Sequence, residues 1–422
     1  MTGFVVRDHL VEVPVDWSDP SRFGSIRVLA RELVDPAKAS QDLPLLLFLQ
    51  GGPGGQGPRP TSLGGWLGAA LERFRVVLLD QRGTGRSGRV DGRTVERLGD
   101  AAADYLACFR GDAIVADAEH VRATVYGGRA WSTLGQSYGG FLTLGYLSRH
   151  PEALTACYVT GGLPPVGVSA EEVYRRTFDR QEARNRAFAA RFPDDVARLT
   201  AVADRLAAQD VTVEGAPFSV RRLQTLGMPL GMSTGADELH WLLDTALDDD
   251  GDLASGFLAA AHRQTSYPGN PLYMALQEII YHEGERPGGW AAAQEAARRP
   301  AWDPSTRPLV LTGEAVFPWM FDELPELRPF RRAVDALAAR THWPALYDTG
   351  RLAANEVPVA AVQYRDDPYV DLDLALATAD GLGAAQVWVT NEFLHDGVRA
   401  AGDRILPRLI DLAAGRWSVT GR

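Results

Sequence analysis

The sequence predicts an α/β fold: a mostly parallel central sheet with a large helical insertion. Three observations predict it. A continuous apolar run of the kind buried on both faces of a parallel sheet lies at 45–49, and further short, mostly apolar strand runs recur at 74–79, 154–160, 357–364 and 385–390. From about 166 to 300 these runs give way to charged, Arg- and Ala-rich helical spacing. An apolar run at 130–134 feeds Gly135-Gln136-Ser137-Tyr138-Gly139-Gly140, and a helix-like stretch follows at 141–150. That is a serine on a tight turn between a strand and a helix.

Whole-chain properties narrow the function classes. At 422 residues the chain can bury a large core, and 45% hydrophobic with 23% charged residues is ordinary for a globular protein. A net charge of −11 and a pI of about 5.3 argue against nucleic-acid binding, which needs basic patches. Cys108 and Cys157 form neither a disulfide framework nor a zinc spacing, so a reducing compartment is expected. The N-terminus lacks the basic and apolar regions of a signal peptide, and no apolar run is long enough to span a bilayer. The expectation is a cytoplasmic protein with no membrane and no nucleic-acid partner.

In chain order, 9–15 and 24–30 read as edge strands of a meander, and 36–44 as a loop. Strand 45–49 runs into Gln50-Gly51-Gly52-Pro53-Gly54-Gly55. Strand 74–79 ends in Asp80-Gln81-Arg82-Gly83-Thr84-Gly85, whose Asp80 and Arg82 are expected to pair and hold the loop. Helical spacing over 95–128 leads to the strand before Ser137, and strand 154–160 follows the turn helix. The helical block contains 170–191, 194–209 and 238–247, with Trp241, Tyr267, Tyr273, Tyr281 and Trp290 as aromatics able to wall a pocket. Strand signal returns at 307–313, then at 357–364 and 385–390, and a last helix covers 403–414. The expected division is a core part over 1–163, a helical cap over 164–304 and a second core part over 305–422.

The chemistry follows from the turn. A serine hydroxyl is a weak nucleophile and needs a base within hydrogen-bond reach, itself oriented by a third group. Gly-x-Ser-x-Gly between strand and helix is the nucleophile elbow of an α/β-hydrolase, whose partners follow in the order acid, then histidine, at later strand ends. Of eight histidines, His395 alone follows the last strand in that position; His342 lies in a helix-to-loop stretch. Asp366 and Asp367 both sit past a strand end, and residue type alone does not choose between them. The oxyanion donors would be the N–H of Tyr138 and one from the Gly51-Gly52 loop. A phosphate loop is the other use of such glycines, but no Gly-Lys-Ser/Thr ending follows. The reading is an α/β-hydrolase fold with an inserted helical cap, performing acyl transfer to water.

Four segments together resemble one family: 48–54 (Phe-Leu-Gln-Gly-Gly-Pro-Gly), Asp80-Gln81-Arg82-Gly83-Thr84-Gly85, the Ser137 turn, and 391–397 (Asn-Glu-Phe-Leu-His-Asp-Gly). The chain resembles the proline iminopeptidases (prolyl aminopeptidases), in their larger bacterial branch, over nearly its whole length. Further likeness lies in Asn270-Pro271-Leu272-Tyr273, in 277–281 and in 311–314. The resemblance implies a serine exopeptidase that removes an N-terminal proline from small peptides without metal or cofactor. It implies that cap-side glutamates hold the substrate's free imino group, matching Glu278 and Glu314, with Tyr281 also at the substrate. The family's Asp-x-Tyr-Val segment selects Asp367 as the acid. Gln50 stands where the smaller branch has histidine, and Pro368 where methionine is expected. An esterase or amidase on another small substrate, and a non-catalytic binding protein of the same fold, are the alternative readings.

Overall fold

The computed structural model describes residues 3–285 and 288–419. Its centre is an eight-stranded sheet, whose strands are β1 (Val5–Pro14), β2 (Ser25–Val34), β3 (Leu45–Leu49), β4 (Arg75–Leu79), β5 (Trp131–Gln136), β6 (Leu154–Thr160), β7 (Val359–Tyr364) and β8 (Ala385–Thr390). The spatial order is β1-β2-β4-β3-β5-β6-β7-β8. The β1–β2 hairpin is antiparallel and joins β4 antiparallel; every other pairing is parallel.

The apolar runs explain why β3 to β7 lie inside, between the edge strands β1 and β8. Side chains alternate across a strand, so a continuous apolar run supplies both faces at once. Leu45, Leu47 and Leu49 join one core with Val77 and Leu79, while Leu46 and Phe48 join a second with Val76 and Leu78. Helices Gly111–Val125 and Tyr138–Arg149 cover the first face through Ile114, Val121, Phe141 and Leu144. Helices Gly65–Leu71 and Gly397–Ala413 cover the second through Leu67, Leu71, Ile405 and Leu409. Full burial of one such side chain contributes about 1.5–3 kcal/mol, so both layers are needed to hold the sheet.

Between Thr160 and Val359 the described residues add nothing to the sheet. Helices Ala170–Arg191, Pro193–Ala208 and Gly235–Asp244 fall where their spacing placed them. The strand expected at 307–313 does not form, and the chain regains the sheet only at Val359 instead of soon after 305. Leu309 and Leu311 pack inside the helical insertion. The segment is extended, but its polar backbone is met by cap residues: the Leu311 N–H donates to Asn185 Oδ1 at 2.8 Å, and Gln224 Nε2 donates to the Val310 carbonyl at 3.0 Å.

The expected Asp80–Arg82 pairing is also corrected. Arg82 is fully buried on Asp117 (Nε to Oδ2, 2.7 Å) and donates to the carbonyls of Val15 and Cys108. Asp80 accepts from Arg59, from the Gly57 N–H and from the Arg86 N–H. The loop is organised by two separate ion pairs whose partners lie far away in sequence. Among the described residues, no helix is long and apolar enough to cross a membrane.

Candidate active site

Ser137 sits between β5 and the helix Tyr138–Arg149 with φ 55° and ψ −125°, a conformation that side-chain-bearing residues rarely adopt. The packing around the turn enforces it. A Cβ at Gly135 would overlap the Gly139 carbonyl, and one at Gly139 would overlap the Leu49 carbonyl of β3. The Ser137 N–H is tied to the Thr160 carbonyl at 3.0 Å. The turn is thus clamped between neighbouring strands, and the hydroxyl projects from the strand ends.

Three sequence-selected residues meet there. His395 Nε2 lies 2.8 Å from Ser137 Oγ, and His395 Nδ1 lies 2.7 Å from Asp367 Oδ2. All three are buried. An ionised carboxylate only accepts hydrogen bonds, so Asp367 places the ring proton on Nδ1 and leaves Nε2 free to accept from serine. Burial works against the imidazolium, but the charges and hydrogen bond of Asp367, with Glu314 and Asp396 beyond, hold the His395 pKa above the ordinary histidine value.

The structure separates Asp366 from Asp367. Asp366 is exposed, whereas Asp367 is buried against the imidazole. Asp367 Oδ1 accepts the N–H groups of Tyr369 and Val370 at 2.8 and 3.2 Å. The donors come from two and three residues on, so the missing N–H of Pro368 leaves no gap.

Gly51 and Gly52 follow β3 and run directly beside the nucleophile: a Cβ at Gly51 would stand 3.0 Å from Ser137 Cβ. Gln81 clips this loop by donating to the Gln50 carbonyl at 2.7 Å and accepting the Gly55 N–H at 3.3 Å. The Tyr138 N–H belongs to the first helical residue, which has no intrahelical acceptor. The helix N-terminus adds favourable potential for negative charge.

The two glutamates occupy different surroundings. Glu314 accepts from the Tyr273 hydroxyl at 2.5 Å. Burial pushes its pKa up, and the nearby His395 and the Tyr273 hydrogen bond pull the other way, so this carboxylate shares an electrostatic environment with the base. Glu278 accepts from the N–H groups of Ala291 and Ala292 at 2.9 and 3.3 Å, at the start of helix Ala291–Ala297. Both of its oxygens hold a helix end. Tyr281 packs on Phe141 of the turn helix and edge-on to Tyr174, joining cap to core beside the nucleophile. Tyr267 stacks on Tyr273, Trp290 packs on Phe321, and Trp241 is 66% exposed and walls nothing. His342 is bonded to Glu285 across a short antiparallel pairing of Gly284–Glu285 with His342–Trp343, away from the serine. Two partners had no assigned role from the sequence: the Tyr273 hydroxyl on Glu314, and Tyr369, which lies edge-on to the His395 ring. Tyr369 had one signal, its place two residues after the acid.

Known proteins resemble this chain at several levels. Residues 44–249 match the family described as alpha/beta hydrolase fold. The proline iminopeptidase of Aeromonas sobria is 41% identical over 416 residues, covering 98% of this chain and 97% of that one. The proline iminopeptidase aneH of Aspergillus aculeatus is 33% identical, covering 96% and 93%. The solved proline iminopeptidase of Mycobacterium smegmatis aligns over 96% of this chain and 98% of its own, with 16% identity and a TM-score of 0.45.

Proposed function

The chain belongs to the proline iminopeptidase family, and from that premise we propose that Ser137, His395 and Asp367 act together as its catalytic unit. The protein is a serine hydrolase, a prolyl aminopeptidase acting on peptides. The observation that supports the assignment of roles is the unbroken chain of hydrogen bonds from Ser137 Oγ through His395 to Asp367.

In the proposed mechanism Ser137 Oγ attacks the prolyl carbonyl while neutral His395 Nε2 takes its proton. Asp367 holds the ring and stabilises the imidazolium as it forms. The tetrahedral oxyanion is met by the Tyr138 N–H and by an N–H of Gly51 or Gly52. His395 then returns the proton to the departing amine. Water, deprotonated by the same imidazole, hydrolyses the acyl-enzyme and releases proline.

Glu314 receives the protonated imino nitrogen of the substrate through a charge-assisted hydrogen bond. A blocked N-terminus lacks that charge and would leave the carboxylate unpaired, which disfavours it. Tyr281 and Tyr273 flank the proline ring. Glu278 is one step removed and supports the pocket by fixing the helix at Ala291. The substrates are short peptides with a free N-terminal proline, and the cytoplasm is the compartment in which Cys108 and Cys157 stay as free thiols.

The test is turnover of proline-naphthylamide by the wild type and by Ser137→Ala. Release of naphthylamine that disappears in the variant supports the assignment. Turnover that persists in Ser137→Ala would overturn it.

A further inference from the structure

His395 stands on a loop after the last strand, yet its main chain is held by the cap. The His395 N–H donates to the Gly231 carbonyl at 3.0 Å, and Gly231 ends a 3₁₀ helix, Thr225–Gly231, in the insertion. Two residues on, Ser233 donates its N–H and its hydroxyl to Asp396 Oδ1 at 2.9 and 2.6 Å. Asp396 directly follows the histidine.

Tyr369 links the same cap segment to the other side of the imidazole. Its N–H feeds Asp367 at 2.8 Å. Its ring lies edge-on to His395, with centroids 4.9 Å apart and planes at 80°. Its hydroxyl donates to the Met228 carbonyl. The approach is close enough that a Cβ at Gly231 would overlap the Tyr369 ring. The segment is in turn anchored on helix Ala170–Arg191: Arg184 Nε donates to the Leu230 carbonyl at 3.0 Å, and Gln181 Nε2 to the Gly227 carbonyl at 3.2 Å.

We propose that cap segment 228–233, acting through Tyr369, Gly231 and Ser233, is a positioning clamp for the catalytic histidine, so that the cap is needed for proton transfer as well as for substrate binding. Ser137 is fixed by its own turn. The His395 N–H, by contrast, bonds to the cap and not to the core, and a general base must be held within about 0.5 Å to work. The clamp supplies that constraint at three points, on the acid's turn, on the histidine N–H and on the residue after it. None of these residues is required to touch the substrate. This inference rests on His395 being the base.

The experiment compares wild type with Tyr369→Phe, Ser233→Ala and the double variant. Three quantities are read: the rate at which a fluorophosphonate labels Ser137, and kcat and KM for proline-naphthylamide. The clamp predicts that labelling and kcat fall in parallel, by about 10- to 100-fold in the double variant, with KM held within about twofold. A loss in KM alone, or labelling and kcat that stay at the wild-type level, would overturn it. Tyr369→Phe and Ser233→Ala each remove one hydroxyl from an otherwise intact chain, so either single variant decides the question if the double does not fold. A wild type that the probe does not label would sink the assignment of the base itself. A labelled wild type with indifferent variants would sink only the clamp.

Discussion

Asp367 and Asp366 are neighbours of the same residue type, and the site treats them oppositely. Asp367 accepts the imidazole N–H from a buried position, while Asp366 is exposed. Asp367→Asn presents an N–H where an acceptor is needed and favours the wrong tautomer, so kcat should fall about 10⁴-fold, measured by steady-state kinetics. Asp366→Asn should leave kcat unchanged. His395 makes a second prediction. Its pKa is raised, so the imidazolium persists to higher pH than in a free histidine. Only the neutral ring accepts the serine proton; kcat/KM should therefore rise with pH through an apparent pKa above the ordinary 6.5. A midpoint below that value would contradict the assigned environment. Glu314→Gln removes the charge proposed to receive the substrate's imino group. Such hydrogen bonds are worth about 1.5–3 kcal/mol, so KM for free-proline substrates should rise about 10- to 100-fold with little change in thermal stability.

At the scale of elements, Glu278 and the helix Ala291–Ala297 form one unit. Burial outweighs the two backbone N–H donors and raises the Glu278 pKa to about 7. In the unfolded chain it returns to about 4.5, so between these values the native state binds more protons than the unfolded state. This group's contribution to stability is therefore largest at low pH and falls as pH rises from about 4.5 to about 7. Glu278→Gln, which does not titrate, should flatten that part of the profile when thermal midpoints are measured across the range. Elements also show why the site was more legible than the cap. The strands at 45–49, 154–160 and 385–390 form over the expected residues; the first two are interior strands of the covered sheet, while 385–390 is its edge strand, with Val389 40% exposed. The run at 307–313 has the same local composition, but its neighbours are Gln224, Asn185 and Gln181, and nothing local to the run announces them. Ser137 and His395 are readable from turn and strand-end position, and Asp367 over Asp366 only from the family resemblance; the turn around Pro368 adds the physical reason, with Asp367 Oδ1 accepting the Tyr369 and Val370 N–H groups.

At the scale of the whole molecule, the core, the hairpin and the cap are joined by contacts between residues distant in sequence. Arg82 is one such joint. It reaches from the end of β4 to Asp117 on the helix Gly111–Val125 and to the carbonyls closing β1, with both charges fully buried. Arg82→Met would strand the Asp117 carboxylate in the interior, and removal of one buried partner costs about 3–5 kcal/mol, measurable by urea unfolding. The expected pairing of Arg82 with Asp80 fails for a physical reason: each carries its charge to a partner that only the tertiary fold supplies, Arg59 for Asp80 and Asp117 for Arg82. The cap is the other joint, since its Tyr281 packs on Phe141 of the turn helix and it meets the histidine loop at Gly231 and Ser233. The central claim, that a serine hydrolase core is directed to a free N-terminal proline by this cap, is tested most directly by one comparison: kcat/KM of the wild type on proline-naphthylamide and on N-acetylproline-naphthylamide. The account predicts strong preference for the free imine, with the acetylated compound turned over slowly or not at all. Equal turnover of the two would show that the charge on the proline nitrogen is not recognised, and would contradict it.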